Sequence, residues 1–444
     1  MTECSKQLIF PFFKPANLTA SFNGGVITSD AGLLVVRELD DRLGFTESIS
    51  RLIYDWRDRR WTKLELIELI RQRVYQIIAG YEDANDANVL RKDPVFKAIA
   101  GRCPEESDLG SQPTFSRLEN RVTRDEIDEL NENLVRTFIR SRPEPLKEIT
   151  LDIDPSEART YGQQELTFYN GHYRAHMYFP QFVCDAKTRL FLAAVLRPGN
   201  VSAAGGAMLL LNKIVGLLRA AWPGIRIYVR ADGSFAEPHL LNWLEEEGLG
   251  YTVGMPSNKA LERLAASFVK AAEDQFQATH QPVQVFTSFR YQTRHSWSKP
   301  RRVIVKVEVT KLGTNIRYVI AGRGGRSQDL YRWYVERCGT IEDVIEQLKN
   351  GYEGDRMSCH RFEANAFRLL LHTGAYNLIG LFREATQVPE LQNADIQTIR
   401  LKLIKVGARI ERTVRRVWVH MSSSWPFAPV LRTALNAVLL VPSG

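Results

Sequence analysis

The sequence predicts a mixed α/β protein, and three observations predict it. Short strand-like runs follow one another from Ile149, an apolar-faced helix and a continuous apolar strand come next, and helix-periodic sequence lies on either side. The N-terminal part, to about residue 147, reads as mixed and then helical. Ser29 and Asp30 are good N-cap residues for a helix carrying Val35, Leu39 and Leu43. Thr62 with Glu65 makes a capping box ahead of Leu64, Ile67, Ile70, Val74 and Ile77, which recur at helical spacing. Polar loops and another helix follow in GYEDANDANVLRKDP and GSQPTFSRLENRVTRDEIDELNENLVRTFI, and SRPEP at 141–145 reads as a linker.

From Ile149, the runs EITLDID, FYNGHYRAHMYFPQFVCD and RLFLAAVLR read as a meander of three antiparallel strands, with Arg189 at the turn before the third. Residues 205–221 predict a helix with Met208, Leu211, Ile214, Val215 and Leu218 on one face, and IRIYVRAD a buried strand. Three meander strands, a crossover helix and a further strand is the order of a ribonuclease H-like core. EPHLLNWLEEEG then reads as a helix and YTVGM as a strand. The segment to about 323 is largely strand-like, through PVQVFTSFRYQT, RRVIVKVEVTK and NIRYVIAGR, which makes it an inserted β region. Helical sequence resumes with DVIEQLKNGY and FEANAFRLLLHTGAYNLIGLFREA, and residues 400–440 are basic and then apolar.

At 444 residues the chain exceeds what one hydrophobic core usually fills, so two or three domains are expected. A composition of 44% apolar and 25% charged residues excludes a disordered chain. The formal charge of +8 favours a polyanionic partner such as nucleic acid. The cysteines (Cys4, Cys103, Cys184, Cys338 and Cys359) are odd in number and lack a C-x-x-C pair, so neither a disulfide framework nor a zinc ribbon is expected, and a reducing cytoplasm fits. With no basic start leading into an apolar run and no stretch of about 18 uninterrupted apolar residues, the chain is expected to be neither secreted nor membrane-spanning.

Three constellations could carry chemistry. In LDID, Asp152 and Asp154 alternate with Leu151 and Ile153, so both carboxylates leave one side of a strand and could hold Mg²⁺; an acidic turn initiator before Pro155 has the same look. In YVRADGSF, Asp232 ends a buried strand just before a turn, where a rigid strand fixes the side chain and a loop leaves room beside it. In YRWYVERCGTIEDVIEQLKNGYEGDR, Glu342, Glu346 and Lys349 share a helix face, with Tyr334 and Arg337 before them; a solvated, salt-bridged helix would read alike.

Other features carry weaker signals. His172 and His176 belong to an alternating strand face rather than a zinc pair. The run Arg400, Lys402, Lys405, Arg409, Arg412, Arg415 and Arg416, opposed only by Glu411, fits a phosphate-binding surface or a plain solvated face. Arg290, Arg294, Arg301, Arg302 and Lys306 interleave with Phe289, Tyr291 and Trp297, as a DNA-touching insertion would, although these aromatics equally suit a small core. The glycines of AGRGGRS are not expected to link a strand to a helix in nucleotide-binding fashion.

Taken in order, SFNGGVITSDAGLLVVRELDDRLGF, EDANDANVLRKDP, SQPTFSRLEN, LDIDPSEA, RADGSF, the Y-x-x-R motif with its following Glu and Lys, SCHRFEANAFR and LKLIKVGARIERTVRRV span nearly the whole chain. Together they resemble the bacterial insertion-sequence transposases of the DDE class, in the group with a β-strand insertion between the second aspartate and the glutamate. The resemblance implies that Asp154, with Asp152 as the alternative, Asp232 and Glu342 are the catalytic, metal-holding carboxylates. It implies that Tyr334, Arg337 and Lys349 grip DNA phosphates. Four residues separate Arg337 from Glu342 where the family usually has three, which leaves Glu346 in reserve.

The expected organisation is a helical DNA-end recognition domain over 1–147, a ribonuclease H-like core over 148–380 with its insertion at about 250–325, and a basic region over 381–444 in which Arg409, Arg412, Arg415 and Arg416 contact DNA. The expected reaction is cleavage at transposon ends and transfer of the freed 3′-hydroxyl into target DNA, using two Mg²⁺ ions for which Mn²⁺ substitutes. The expected partners are double-stranded DNA, as terminal repeats and target, and a second copy of the chain in a synaptic complex. The rival readings are a catalytically silent DNA-binding regulator and a structure-selective nuclease that does not join strands.

Overall fold

The computed structural model describes residues 7–442, and Cys4 lies outside them. The chain divides into two compact units, Met1–Leu118 with Leu381–Gly444, and Glu119–Gly380.

In the first unit both ends of the chain share one sheet, in which Ala408–Arg412 pairs antiparallel with Ile27–Thr28 on one side and Val417–Met421 on the other. The helix Leu33–Leu43 has Gly32 at its N-cap and no side-chain cap. Asp30, expected at that cap, is instead fully buried and accepts hydrogen bonds from Lys405 Nζ at 2.7 Å and the Tyr81 hydroxyl at 3.1 Å. Charge compensation for a buried carboxylate outweighs a cap. After the short helix Phe45–Arg51 comes the helix Leu66–Ala79, and its capping box joins Glu65 to Glu68 rather than Thr62 to Glu65. Thr62 donates to the Asp58 carbonyl at 2.9 Å instead.

The second unit is built on an eight-stranded mixed sheet. In chain order its strands are β1 (Glu148–Pro155), β2 (Gln181–Asp185), β3 (Phe191–Val195), β4 (Arg226–Ala231), β5 (Gly250–Met255), β6 (Val283–Tyr291), β7 (Arg301–Thr310) and β8 (Gly313–Ala321). They lie in the order β3-β2-β1-β4-β5-β8-β7-β6. β1, β4 and β5 run parallel, while β2 is antiparallel to both β1 and β3. The first five strands therefore stand as 3-2-1-4-5 with only the second reversed, which is the ribonuclease H-like arrangement that the element order predicts. β1 lies inside the sheet; Ile149, Leu151 and Ile153 on one face are at most 3% exposed, and Asp152 on the other is fully buried, so the strand is covered on both faces.

Helices flank the sheet: α1 (Arg124–Arg140), α2 (Ala207–Ala221), α3 (Pro238–Glu246), α4 (Lys259–Thr279), α5 (Ser327–Val335), α6 (Asp343–Tyr352) and α7 (Phe362–Thr386). α1 belongs with the sheet rather than with the first unit, since Asn131 Oδ1 accepts from the Ala194 amide at 3.0 Å. Pairing between distant segments, which no local pattern reports, thus sets unit boundaries that differ from 1–147, 148–380 and 381–444.

Four local expectations change. α4 interrupts the segment read as largely strand-like; Leu261, Ala265 and Ala272 are its buried positions, and Asn258 caps it by accepting from the amides of Ala260 and Leu261. The second meander run is broken: Phe168–Asn170 and Ala175–Tyr178 join Ala158–Arg159 in a small separate sheet, and only Gln181–Asp185 enters the large one. Pro180, which has no amide to donate, stands at the break. Met208 is 44% exposed, off the buried face of α2. The glycines of AGRGGRS do join a strand to a helix, β8 to α5, but β8 is an antiparallel strand outside any βαβ unit. Among the described residues no helix is long and apolar enough to cross a membrane.

Candidate active site

β1 and β4 run parallel with Ala231 beside Ile153, so the next residues, Asp154 and Asp232, come together at the carboxyl edge of the sheet. Edges of this kind are where open α/β sheets bind ligands. Asp232 opens a turn by accepting the Ser234 amide at 2.9 Å through Oδ1, and the Ser234 hydroxyl bonds the same oxygen. Asp154 is mostly buried, its side chain 15% exposed. Burial above all, with Asp232 and Glu342 adding repulsion against the opposing pull of Arg337, pushes its carboxyl up to about 7.

Asp152 leaves β1 on the same side but is fully buried. Arg230 takes both of its oxygens, Nε to Oδ1 at 2.6 Å and Nη2 to Oδ2 at 2.7 Å, and passes a third bond from Nη1 to the Trp333 carbonyl at 2.7 Å. Asp152 is therefore placed as the counter-charge of Arg230, and the pair ties β1 and β4 to α5.

α5 continues through a π-turn, Cys338–Glu342, into α6. Arg337 stands at its start, only 4% exposed. Its Nη1 donates to Asp154 Oδ2 at 2.8 Å, and its Nη2 lies 3.4 Å from Glu342 Oε1. One buried guanidinium thus links a strand carboxylate to a helix carboxylate. Glu342 keeps a half-exposed side chain, whereas Glu346 is exposed on α6 and receives Asn350 Nδ2 at 3.4 Å.

Lys349 reaches back to the end of β1, donating to the Glu157 carbonyl at 3.0 Å and standing 3.6 Å from Asp355. Tyr334 lies against Gly254 of β5, where a Cβ would come within 2.6 Å of its hydroxyl and 2.7 Å of the Gly233 amide nitrogen. These contacts gather Asp154, Asp232, Arg337, Glu342, Tyr334 and Lys349 into one neighbourhood.

The other basic candidates divide. Arg400 is buried and donates to the carbonyls of Ile77 and Ile78 at 2.9 and 2.8 Å, and Lys405 serves Asp30. Arg409 pairs with Glu411 and Arg412 with Glu105, while Arg415 and Arg416 are exposed between the strands Ala408–Arg412 and Val417–Met421. In the insertion, Trp297 is buried beneath the Arg301 guanidinium at 5.0 Å, and Arg301 pairs with Glu245, so these groups form a small core. His172 and His176 pack edge-on against Tyr173 and Tyr169 respectively.

Two neighbours of the carboxylates escaped sequence reasoning. Tyr173 has its hydroxyl ionisation pushed up by burial and by Glu157, Asp154 and Asp232. It lies in an irregular turn beside Arg174 at φ 53°, where periodicity carries no signal. The thiol of Cys338, next to Arg337, is pushed up by burial and by Glu342, net of Arg337.

The donor set of Asp154, Asp232 and Glu342 is all carboxylate oxygen, which suits a hard divalent cation. Among the described residues no three His, Cys, Asp or Glu side chains are grouped closely enough to hold one; Asp154 and Glu342 each bond to Arg337.

A family model described as transposase DDE domain, group 1, matches residues 10–442. No curated protein matches the chain. Among solved structures, that of piggyBac transposase in a synaptic complex with hairpin DNA is similar at 15% identity and a TM-score of 0.43, over 84% of this chain and 79% of that one.

Proposed function

The chain belongs to the transposase DDE domain family, group 1, and from that premise we propose that it cuts DNA at transposon ends and joins the freed 3′-hydroxyl to target DNA. One observation carries the reading to named residues: Arg337 bonds Asp154 and Glu342 together, and Asp154 stands at the strand end beside Asp232. Asp154 and Asp232 end neighbouring parallel strands, and Glu342 is tied to Asp154 through Arg337, which supports this reading.

In the first step a water oxygen bonds to phosphorus at the transposon end, the bond from phosphorus to the 3′-oxygen breaks, and that oxygen leaves as a hydroxyl. In the second, this 3′-oxygen bonds to a target phosphorus and displaces the 3′-oxygen of the target strand. Asp154, Asp232 and Glu342 would hold two Mg²⁺ ions, or Mn²⁺ in their place. Bound there, divalent cations would acidify the attacking hydroxyl and offset charge on the phosphorane-like transition state. Arg337 keeps the strand and helix carboxylates in one place, and Lys349 ties the segment just past β1 to α6. Tyr334 and Lys349, together with Arg409, Arg412, Arg415 and Arg416, are the proposed contacts to DNA phosphates, which position the duplex without reading its sequence. The region 1–147 is the proposed reader of the terminal repeats, and two copies of the chain are the proposed working form.

The test is a duplex carrying a transposon end, incubated with Mg²⁺, followed by pre-cleaved ends supplied with a plasmid target. Cleavage and plasmid insertion are both expected. Binding without nicking would leave a silent regulator, and nicking without insertion a nuclease that does not join strands.

A further inference from the structure

From Ser327 to Tyr352 the chain is helical, but Cys338–Glu342 winds as a π-turn. In an α-helix, residues five apart point about 140° away from each other, so Arg337 and Glu342 would face different sides. The wider turn brings them together, and Arg337 Nη2 reaches Glu342 Oε1 at 3.4 Å while Nη1 holds Asp154. π-turns are rare and cluster at functional sites. This one spans the four residues that separate Arg337 from Glu342.

The turn is also clamped from outside. The Gly339 carbonyl accepts from Arg189 Nη2 at 3.0 Å, and Arg189 Nη1 stands 3.9 Å from Asp343. Arg189 projects from the β2–β3 turn with φ 61°, a conformation uncommon for a side chain of its size. Thr340 Oγ1 donates to the Glu336 carbonyl at 2.9 Å, which gives a second helix carbonyl a side-chain partner.

We infer that the π-turn is a positioning element, with Gly339 as the residue that it absorbs and Arg189 as its lock, and that it delivers Glu342 to Asp154 and Asp232. The inference rests on the proposed function for its catalytic meaning, but not for its geometry. A Cβ on Gly339 would meet nothing within 4 Å, so no packing contact requires glycine there.

The experiment compares the full chain with three variants. Deleting Gly339 lets the turn close as ordinary α-helix with Arg337 and Glu342 four apart, still on one face, so end cleavage should stay within about fivefold. Inserting an alanine after Gly339 turns Glu342 away by about 100° and should cost on the order of 100-fold or more. Arg189→Ala should lower both cleavage and the metal-free unfolding temperature in the parent chain, and neither in the Gly339-deleted chain, which has no bulge to lock. A folded deletion variant that cannot cleave, or an Arg189→Ala effect of equal size in both backgrounds, overturns the inference. A parent chain that cleaves nothing counts against the proposed function instead, and the unfolding comparison still decides the π-turn.

Discussion

Arg337 meets Asp154 at 2.8 Å although 183 positions separate them in the chain. The resemblance assigns Arg337 to DNA phosphate, yet it is buried and occupied by carboxylates, so its geometry suits holding them in place. The same strand supplies Asp152, whose oxygens both belong to Arg230. Asp154→Asn should therefore abolish end cleavage and leave the fold largely intact, since an amide oxygen still accepts from Arg337. Asp152→Asn should weaken the fold instead, by up to about 3–5 kcal/mol, because it removes the buried charge that takes two of Arg230's donors and leaves only the exposed Glu336, 3.4 Å from Nη1, to offset it. Denaturant melts beside cleavage assays separate the two; equal losses of activity at unchanged stability would reverse the assignment.

Glu342 and Glu346 differ by one helical turn, and only the first touches Arg337. Glu342→Gln should reduce cleavage on the order of 1000-fold, in the range that loss of a group acting on the transition state costs. Glu346→Gln should stay near the parent rate. Single-turnover nicking of an end-containing duplex reads both.

With Asp154 pushed up to about 7, its carboxyl holds a proton through the mildly acidic range. A cation must displace that proton, so the Mg²⁺ concentration for half-maximal cleavage should rise as pH falls below 7, by up to about tenfold per unit, and level off above 8. In the metal-free protein burial outweighs the ion pair with Arg337, so the sign is opposite to that of a carboxylate whose pKa is lowered by folding. A raised pKa gives stability that is full below the unfolded value of 3.8 and is lost as pH rises through 7. Metal titrations at several pH values check the first statement, and EDTA-treated melts check the second.

The strand carboxylates were legible because they sit where local rules apply: Asp154 two places from Asp152 on an alternating strand, and Asp232 at the end of an apolar run. The sheet order followed from the succession of strands and helix. What stayed hidden depends on pairings across the chain. Nothing local distinguishes Asp152 from Asp154 until Arg230 arrives from β4 to claim the first. Likewise, the sequence shows an awkward spacing between Arg337 and Glu342, but only the π-turn shows how it is absorbed. Arg400 counted as surface charge because a run of basic residues hides the one that folds inward onto the carbonyls of Ile77 and Ile78. α4 was missed although Leu261 and Ala265 carry a helical spacing, since the strands on either side dominated the reading.

Gly254 packs β5 against both halves of the site. An added methyl would sit 2.6 Å from the Tyr334 hydroxyl and 2.7 Å from the Gly233 amide nitrogen, beside backbone that cannot yield cheaply. Gly254→Ala should displace either Tyr334 or the Asp232 turn, and cost about 1–3 kcal/mol of stability. Tyr334→Phe in the same chain relieves only the hydroxyl clash. If cleavage recovers in the double variant, Tyr334 was the group displaced; if it does not, the Asp232 turn was.

Exposure ranks the basic residues of the C-terminal segment. Arg415 and Arg416 project from the turn between two strands, Arg412 is shared with Glu105, and Arg400 is buried. Each phosphate contact contributes about 0.9 to the slope of log affinity against log salt. Arg415→Ala with Arg416→Ala should therefore weaken binding to any duplex and flatten that slope by about 2. Arg412→Ala should change it by less than 1, since Glu105 already offsets the charge. Arg400→Ala should lower the unfolding temperature and leave the slope alone, because its guanidinium serves two carbonyls and not solvent. Fluorescence anisotropy of a labelled duplex across a salt series measures all three, and a slope untouched by the double variant would remove this turn from the DNA interface.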